Sequence, residues 1–167
     1  MSETAPVCRT NESVHPLKKA DFPPLLAPGI HALTLAELQA IAVTPFLADA
    51  RRALLFASFQ QWVQKLQSLH VQAILWIDGS FLTSKYGPDD IDCIMWNPTT
   101  AIELTSQQWA EVRELTDRDM AKDRFSIDFY MENPDAHGRL HRQAYFRGLF
   151  GFQHDEKTPK GFVELKL

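Results

Sequence analysis

A mixed α/β (α+β) fold, with a sheet of about four strands flanked by helices, is predicted by three features of the sequence. Short continuous apolar runs have the length of buried strands, longer apolar patterns between them keep helical spacing, and Gly or Asn-Pro pairs punctuate the changes. The chain has 167 residues, 45% of them hydrophobic, which suffices for one buried core and is short for two. One domain is therefore expected over 22–167, preceded by a flexible segment over 1–21.

The proline-rich start carries Pro6, Pro16, Pro23, Pro24 and Pro28 without sustained periodicity, which biases its backbone towards extended conformations. Phe22, Leu25, Leu26 and Ile30 are apolar enough for the segment from Phe22 to Ile30 to lie across the domain as an ordered arm, or it continues the loose start. Thr34 and Glu37 form a capping box that opens a short helix from Leu35 to about Val43. Thr44 then reads as an N-cap with Pro45 at the first helical position. The longer helix that follows places Leu47, Ala50, Leu54, Trp62, Leu66 and Leu69 on one face.

From Val71 the pattern changes to strands. Ala73 to Ile77 is a continuous apolar run ending at Asp78-Gly79-Ser80, Ile91 to Trp96 is a second ending at Asn97-Pro98, and Phe125 to Met131 is a third ending at Asn133-Pro134. Ser106 can cap a helix through Trp109, Val112 and Leu115, and Asn133-Pro134 can cap another reaching Leu149 and stopping near Gly151. Phe162, Val163, Leu165 and Leu167 suggest a last strand. The four tryptophans, Trp62, Trp76, Trp96 and Trp109, read as core.

Chemistry concentrates between Trp76 and Met95. Asp90 and Asp92 stand two apart at the start of an apolar strand, so the strand period aims both carboxylates at one face. Like charges that close call for a compensating cation, and hard oxygen ligands suit magnesium or manganese. Asp128 repeats the anomaly on the third strand, sharing a face with Ser126 and Tyr130. If these strands are neighbours, Asp90, Asp92 and Asp128 could hold two ions roughly 3.5–4 Å apart, the arrangement used for in-line phosphoryl displacement. Gly79 lets the backbone approach a phosphate and Ser80 adds a hydroxyl donor. Lys85 and Tyr86 lie between this bend and the carboxylates, where a cation can meet a triphosphate and a ring can stack on a base; the plainer reading is an exposed turn into Gly87-Pro88.

Gly79-Ser80, nine residues, then Asp90-Ile91-Asp92, with Asp128 on a later strand, resembles the signature of the DNA polymerase beta-like nucleotidyltransferase superfamily. The resemblance covers residues 71 to 131. It implies that Gly79 and Ser80 hold nucleotide phosphates, that Asp90 and Asp92 bind both metal ions, and that Asp128 completes one site. Asp78 departs from the pattern, which usually has an apolar residue before the glycine, and the nine-residue spacing lies at its short end. Phe22-Pro23-Pro24-Leu25, Asp78-Gly79-Ser80-Phe81 and Pro159-Lys160-Gly161 also resemble a group of small, uncharacterised bacterial proteins classed with these transferases, over nearly the whole chain.

The expected activity is transfer of a nucleotidyl group from a nucleoside triphosphate, with Mg2+ or Mn2+, to a hydroxyl on RNA or protein. A toxin–antitoxin or defence setting follows by analogy alone, and a protein partner or homodimer could supply the acceptor surface. The alternative is a catalytically silent nucleotide-binding or protein-interaction module of the same fold. A net charge of −4 excludes binding nucleic acid through bulk charge. Arg139, Arg142 and Arg147, with His137 and His141, make one locally basic segment, read either as a path for RNA or triphosphate or as a solvated helix face. The histidines lack metal-ligand spacing with cysteines, against zinc. Cys8 and Cys93 are far apart, no apolar stretch nears the roughly 20 residues needed to span a bilayer, and no secretory signal opens the chain. A reduced, cytoplasmic protein that does not enter membranes is expected.

Overall fold

Alternating side chains along five strands divide the apolar residues between the two faces of one mixed sheet, one strand more than the sequence predicts. The computed structural model describes residues 20–167. In chain order the elements are β1 (Gly29–Ala32), α1 (Leu35–Ala42), α2 (Ala50–Ser68), β2 (Val71–Asp78), β3 (Ile91–Thr100), α3 (Ser106–Leu115), α4 (Arg118–Phe125), β4 (Ile127–Glu132), α5 (Arg139–Phe150) and β5 (Gly161–Lys166). Across the sheet the order is β1-β5-β2-β3-β4. The outer pairs β1/β5 and β3/β4 are parallel, and β2 runs antiparallel to both its neighbours.

On one face Leu75, Ile77, Ile91, Cys93, Met95, Ile127, Phe129, Val163 and Leu165 meet the buried residues of α1, α2, α3 and α4 in the main core. The opposite face is smaller: Trp76, Ile94, Trp96 and Phe162 form a buried cluster with Phe146 and Phe150 of α5. Rings carry that contact, with Trp76 and Trp96 4.9 Å apart and Trp96 edge-on to Phe146 at 5.7 Å. By the same alternation Asp78, Asp92 and Asp128 belong to the α5 face. No helix among the described residues is long and apolar enough to cross a membrane.

Local chemistry explains several boundaries. Thr34 and Glu37 make both arms of the capping box that opens α1, and Thr105 with Gln108 does the same for α3, one residue before the Ser106 cap expected. The segment after α1 departs from expectation. Thr44–Phe46 is a separate 3-10 turn, and α2 begins only at Ala50, where the Asp49 carboxylate accepts from the Arg52 amide. The buried face of α2 is accordingly Leu55, Phe59, Trp62 and Leu66, joined by Arg52, Phe56 and Val63, while Leu47 and Leu54 are exposed. Trp109, read as core, is 43% exposed, unlike the other three tryptophans.

β3 continues past Asn97-Pro98 to Thr100 because the strand is irregular there: Asn97 has a positive φ of 45°, and the pairing with β2 slips between Gln72 and Ile74. Such a bulge is where a strand tolerates proline. Phe125 and Ser126 belong to no strand. Phe125 ends α4, and Ser126, at φ 56°, closes that helix in the left-handed region, so only Ile127 onwards is β4. α5 starts at Arg139, later than the Asn133-Pro134 cap suggested.

The segment from Phe22 is the ordered arm. Leu25 donates to Leu82 O at 2.9 Å, the Ser84 amide donates to Pro23 O at 2.8 Å, and β1 pairs with β5. Most of the segment expected to be flexible, and Cys8, lie outside the described residues. Cys93 is buried, which pushes its thiol up, aided by the neighbouring Asp92 charge.

Candidate functional site

The site forms where β2 ends and β3, β4 and β5 begin, since β2 runs opposite to β3 and β5. Strand register decides its layout. Asp78 pairs with Asp92 across β2/β3, and Asp92 pairs with Asp128 across β3/β4, so three carboxylates stand in a row over three adjacent strands. Asp90, two residues before Asp92, is brought to the same end.

Gly79 follows Asp78 at φ 90°, and a Cβ there would lie 1.9 Å from Asp92 Oδ2. Only glycine lets the bend pass this close to the carboxylate. The chain beyond it is held from behind by Arg52, fully buried on α2, which donates to the backbone carbonyls of Ala42, Phe81, Thr83 and Lys85. Its partner Asp49 accepts from the Gly87 amide at 2.7 Å; although burial pushes the Asp49 carboxyl up, hydrogen bonds from Gly87 and Arg52 leave it below the usual range. The loop between the Gly-Ser bend and the Asp90 strand is thus fastened by an ion pair inside the main core.

Two cations missed by the sequence reading come from α4. Lys122 Nζ donates to Asp90 Oδ2 at 2.7 Å and lies 3.7 Å from Asp128 Oδ2, so one ammonium sits between two of the three expected metal ligands. Arg118, one helical turn earlier, donates to Asp128 Oδ1 at 2.9 Å and stacks over Tyr130, its guanidinium carbon 4.2 Å from the ring centre. The hydrogen bond to Asp90 raises the Lys122 pKa, and that to Asp128 raises the Arg118 pKa. The Lys85 ammonium pairs with Asp89 at 2.7 Å, and Tyr86 is exposed, its hydroxyl donating to Ala48 O.

The donor set suits a hard divalent cation: Asp90, Asp92 and Asp128 supply only carboxylate oxygens, and a positive charge already stands at the focus of two of them. As the side chains are disposed, no group of three or more His, Cys, Asp or Glu among the described residues is closed tightly enough to grip an ion. Lys122 takes that place.

Beside the row opens a cavity of about 630 Å³, a size usual for small-ligand sites. Asp78, Gly79, Ser80, Lys85, Asp92 and Lys160 are among the residues that line it, together with the apolar Phe22, Leu149, Phe150 and Phe152 and the polar Gln153, His154 and Glu156. Asp78 is only 4% exposed and accepts from Lys160 Nζ at 2.7 and 2.5 Å. Burial pushes its carboxyl up to about 6 against the pull of Lys160. The sequence signals for this pair were Asp78 itself, a charge at the end of an apolar strand, and Lys160 in the Pro159-Lys160-Gly161 frame.

The basic segment is largely engaged. Arg142 pairs with Glu132 and stacks on Phe146, and Arg147 lies over the Trp76 ring.

Residues 19–166 match the model of a family of unknown function, DUF6932. The chain belongs to that family. No curated protein matches it, and no solved structure does. The DUF6932 match spans the whole sheet, the carboxylate row and both walls of the cavity, so arm, bend and final strand fall within one family unit.

Proposed function

We propose that this chain is a metal-dependent nucleotidyltransferase that takes a nucleoside triphosphate into the cavity and passes its nucleotidyl group to a hydroxyl on RNA or protein, forming a bond from that oxygen to the α-phosphorus as the bond to the β-phosphate breaks and pyrophosphate leaves. The observation that carries this reading is the register pairing of Asp92 with Asp128, beside Asp90 and a Gly-Ser bend that passes against Asp92. The resemblance of Gly79-Ser80, Asp90-x-Asp92 and Asp128 to the polymerase beta-like signature supports it, as does a cavity lined by both charged and aromatic side chains.

Asp90, Asp92 and Asp128 are the residues that would hold Mg2+ or Mn2+ once Lys122 has moved aside. Bound there, such an ion lowers the pKa of an attacking hydroxyl and neutralises triphosphate charge. The chain's own part is positioning. Gly79 brings backbone close to the phosphates, Ser80 and Lys85 donate to them, and Arg52 keeps the bend from shifting. Phe22 and Phe152 offer ring faces for the base.

The test is incubation with each labelled triphosphate and Mg2+ or Mn2+, beside an Asp90→Asn, Asp92→Asn double variant. Label on RNA or protein that disappears in the variant supports the reading, and label that survives it counts against the mechanism. A second reading, a nucleotide-binding module without turnover, is favoured by the Lys122 ammonium between Asp90 and Asp128. Triphosphate binding with no transfer to any acceptor would select it.

A further inference from the structure

A buried ion pair is an expensive way to fill space, because desolvating two charges often costs more than their attraction returns. Asp78 and Lys160 form one, with side chains 6% and 11% exposed, yet they do not lie in either apolar cluster. Both line the cavity, as do Gly79, Ser80 and Phe152. Backbone bonds fix Lys160 there: its amide donates to Gly151 O at 2.8 Å, and the preceding Pro159 bridges to Phe152.

Charge gives the pair its meaning. Asp78 and Asp92 are register neighbours, so this part of the cavity wall is strongly acidic and would repel a phosphate chain without a cation beside it. An ammonium has three donors, and Asp78 takes two from Lys160. Lys160 lines the cavity beside Gly79 and Ser80, where its ammonium charge acts on a bound anion. Lys85, by contrast, pairs at its ammonium with Asp89, whose side chain is 82% exposed.

We infer that Lys160, paired with Asp78 and fixed by its own backbone bonds, is a second phosphate-contacting cation of this cavity beside Lys85, and that it orients a polyphosphate-bearing ligand with its phosphates by Gly79 and Ser80 and its apolar part against Phe22 and Phe152. This rests on the nucleotide reading only for the identity of the ligand; the anion site itself stands without metal or turnover.

The probe is inorganic tripolyphosphate, titrated calorimetrically into the full chain in the presence of EDTA. Wild type is expected to bind it. Asp78→Leu, Lys160→Met, which removes both charges and leaves no orphan, is expected to stay folded by circular dichroism and to bind at least tenfold more weakly. Asp78→Asn, which releases Lys160 from its carboxylate, is expected to bind more tightly than wild type. A purely structural pair predicts unchanged binding in both variants, and that result, or absence of binding to wild type, overturns the inference. Should the double variant not fold, the Asp78→Asn arm decides alone: tighter binding supports Lys160 and unchanged or weaker binding refutes it. Labelled-nucleotide transfer with unaltered tripolyphosphate binding in the variants would refute Lys160 while sparing the transferase reading, and the converse pair of results would do the opposite.

Discussion

Asp92 on β3 and Asp128 on β4 occupy the same register position of two parallel strands, with the Lys122 ammonium 3.7 Å from Asp128 and 2.7 Å from Asp90. Parallel neighbours separated by two helices bring together carboxylates that are 36 positions apart in sequence, and the following experiments probe what they do there.

Asp128→Asn keeps the shape of the side chain and removes its charge. Label transfer from nucleoside triphosphate is expected to fall at least about a hundredfold, the usual cost of losing one electrostatic contributor to a transition state. Because the Asp128–Arg118 pair is half in solvent, the thermal unfolding midpoint should hardly move. A single-turnover assay beside a melting curve checks both.

Lys122→Met removes a competitor for the carboxylates. Mn2+ affinity, read by calorimetry, is expected to rise roughly two- to fivefold, in keeping with a pair whose lysine is about half exposed. Weaker Mn2+ binding in the variant would mean that the ammonium assists the ion rather than displaces it.

Gly79→Ala places a methyl carbon 1.9 Å from Asp92 Oδ2 on a backbone with φ 90°. Strain of this kind costs on the order of 1–3 kcal/mol, and the Asp92 carboxylate must shift as well. Gly87→Ala is the control, since its φ is also positive, at 60°, but nothing lies within 4 Å of the added carbon. Urea midpoints should fall further for position 79, and only that variant should lose transfer activity.

Arg52→Met leaves the carbonyls of Ala42, Phe81, Thr83 and Lys85 without their shared donor and Asp49 without its counter-charge. Breaking a buried ion pair from one side costs about 3–5 kcal/mol. Equilibrium unfolding should show the loss, and tripolyphosphate binding should weaken with it, because the same arginine secures the bend.

Stability should also depend on pH through Asp78. Its folded carboxyl is pushed up to about 6 from 3.8, so the folded state holds the proton more tightly than the unfolded chain. The contribution is complete below about pH 4 and is lost as pH rises through about 6. Urea unfolding between pH 4 and 7 should show stability falling across that window from this group, with a shallower slope in Asp78→Asn.

Local signals were the legible ones. The Thr34–Glu37 box, the Asp78-Gly79-Ser80 stop and the Asp90-x-Asp92 alternation all act within a few residues, and each marks an element or face in the structure. β1 was not legible, because Gly29–Ala32 shows no alternation and is a strand only through pairing with β5, more than 120 residues later. α4 was hidden by its polar sequence and by Phe125, which looks like the first residue of the next strand until Ser126 turns left-handed. On α2 the expected face holds at Trp62, Leu66 and Leu69 but not at Leu47 and Leu54, because Arg52 reads as solvent-facing and only the carbonyls waiting around it make its burial favourable. The three aspartates were legible by type and spacing. Lys122 was not, and Lys160 was marked only as part of the Pro159-Lys160-Gly161 frame, since a lysine carries no periodic signal and its role depends on which distant carboxylate the fold brings near.

The smaller aromatic layer gives the two walls of the site unequal footing. The row of aspartates is rooted in the sheet and in four helices behind it, whereas Leu149 and Phe150 ride on a helix seated on a handful of rings. Lifting that helix breaks those ring contacts together with the Arg142–Glu132 and Arg147–Trp76 pairs and leaves the main core untouched, so it can open as its own unit while everything beneath stays closed. Hydrogen exchange should register this as faster amides in 139–150 than in 71–78, and a bulky acceptor could then be admitted from the aromatic side without disturbing the charged floor it must reach.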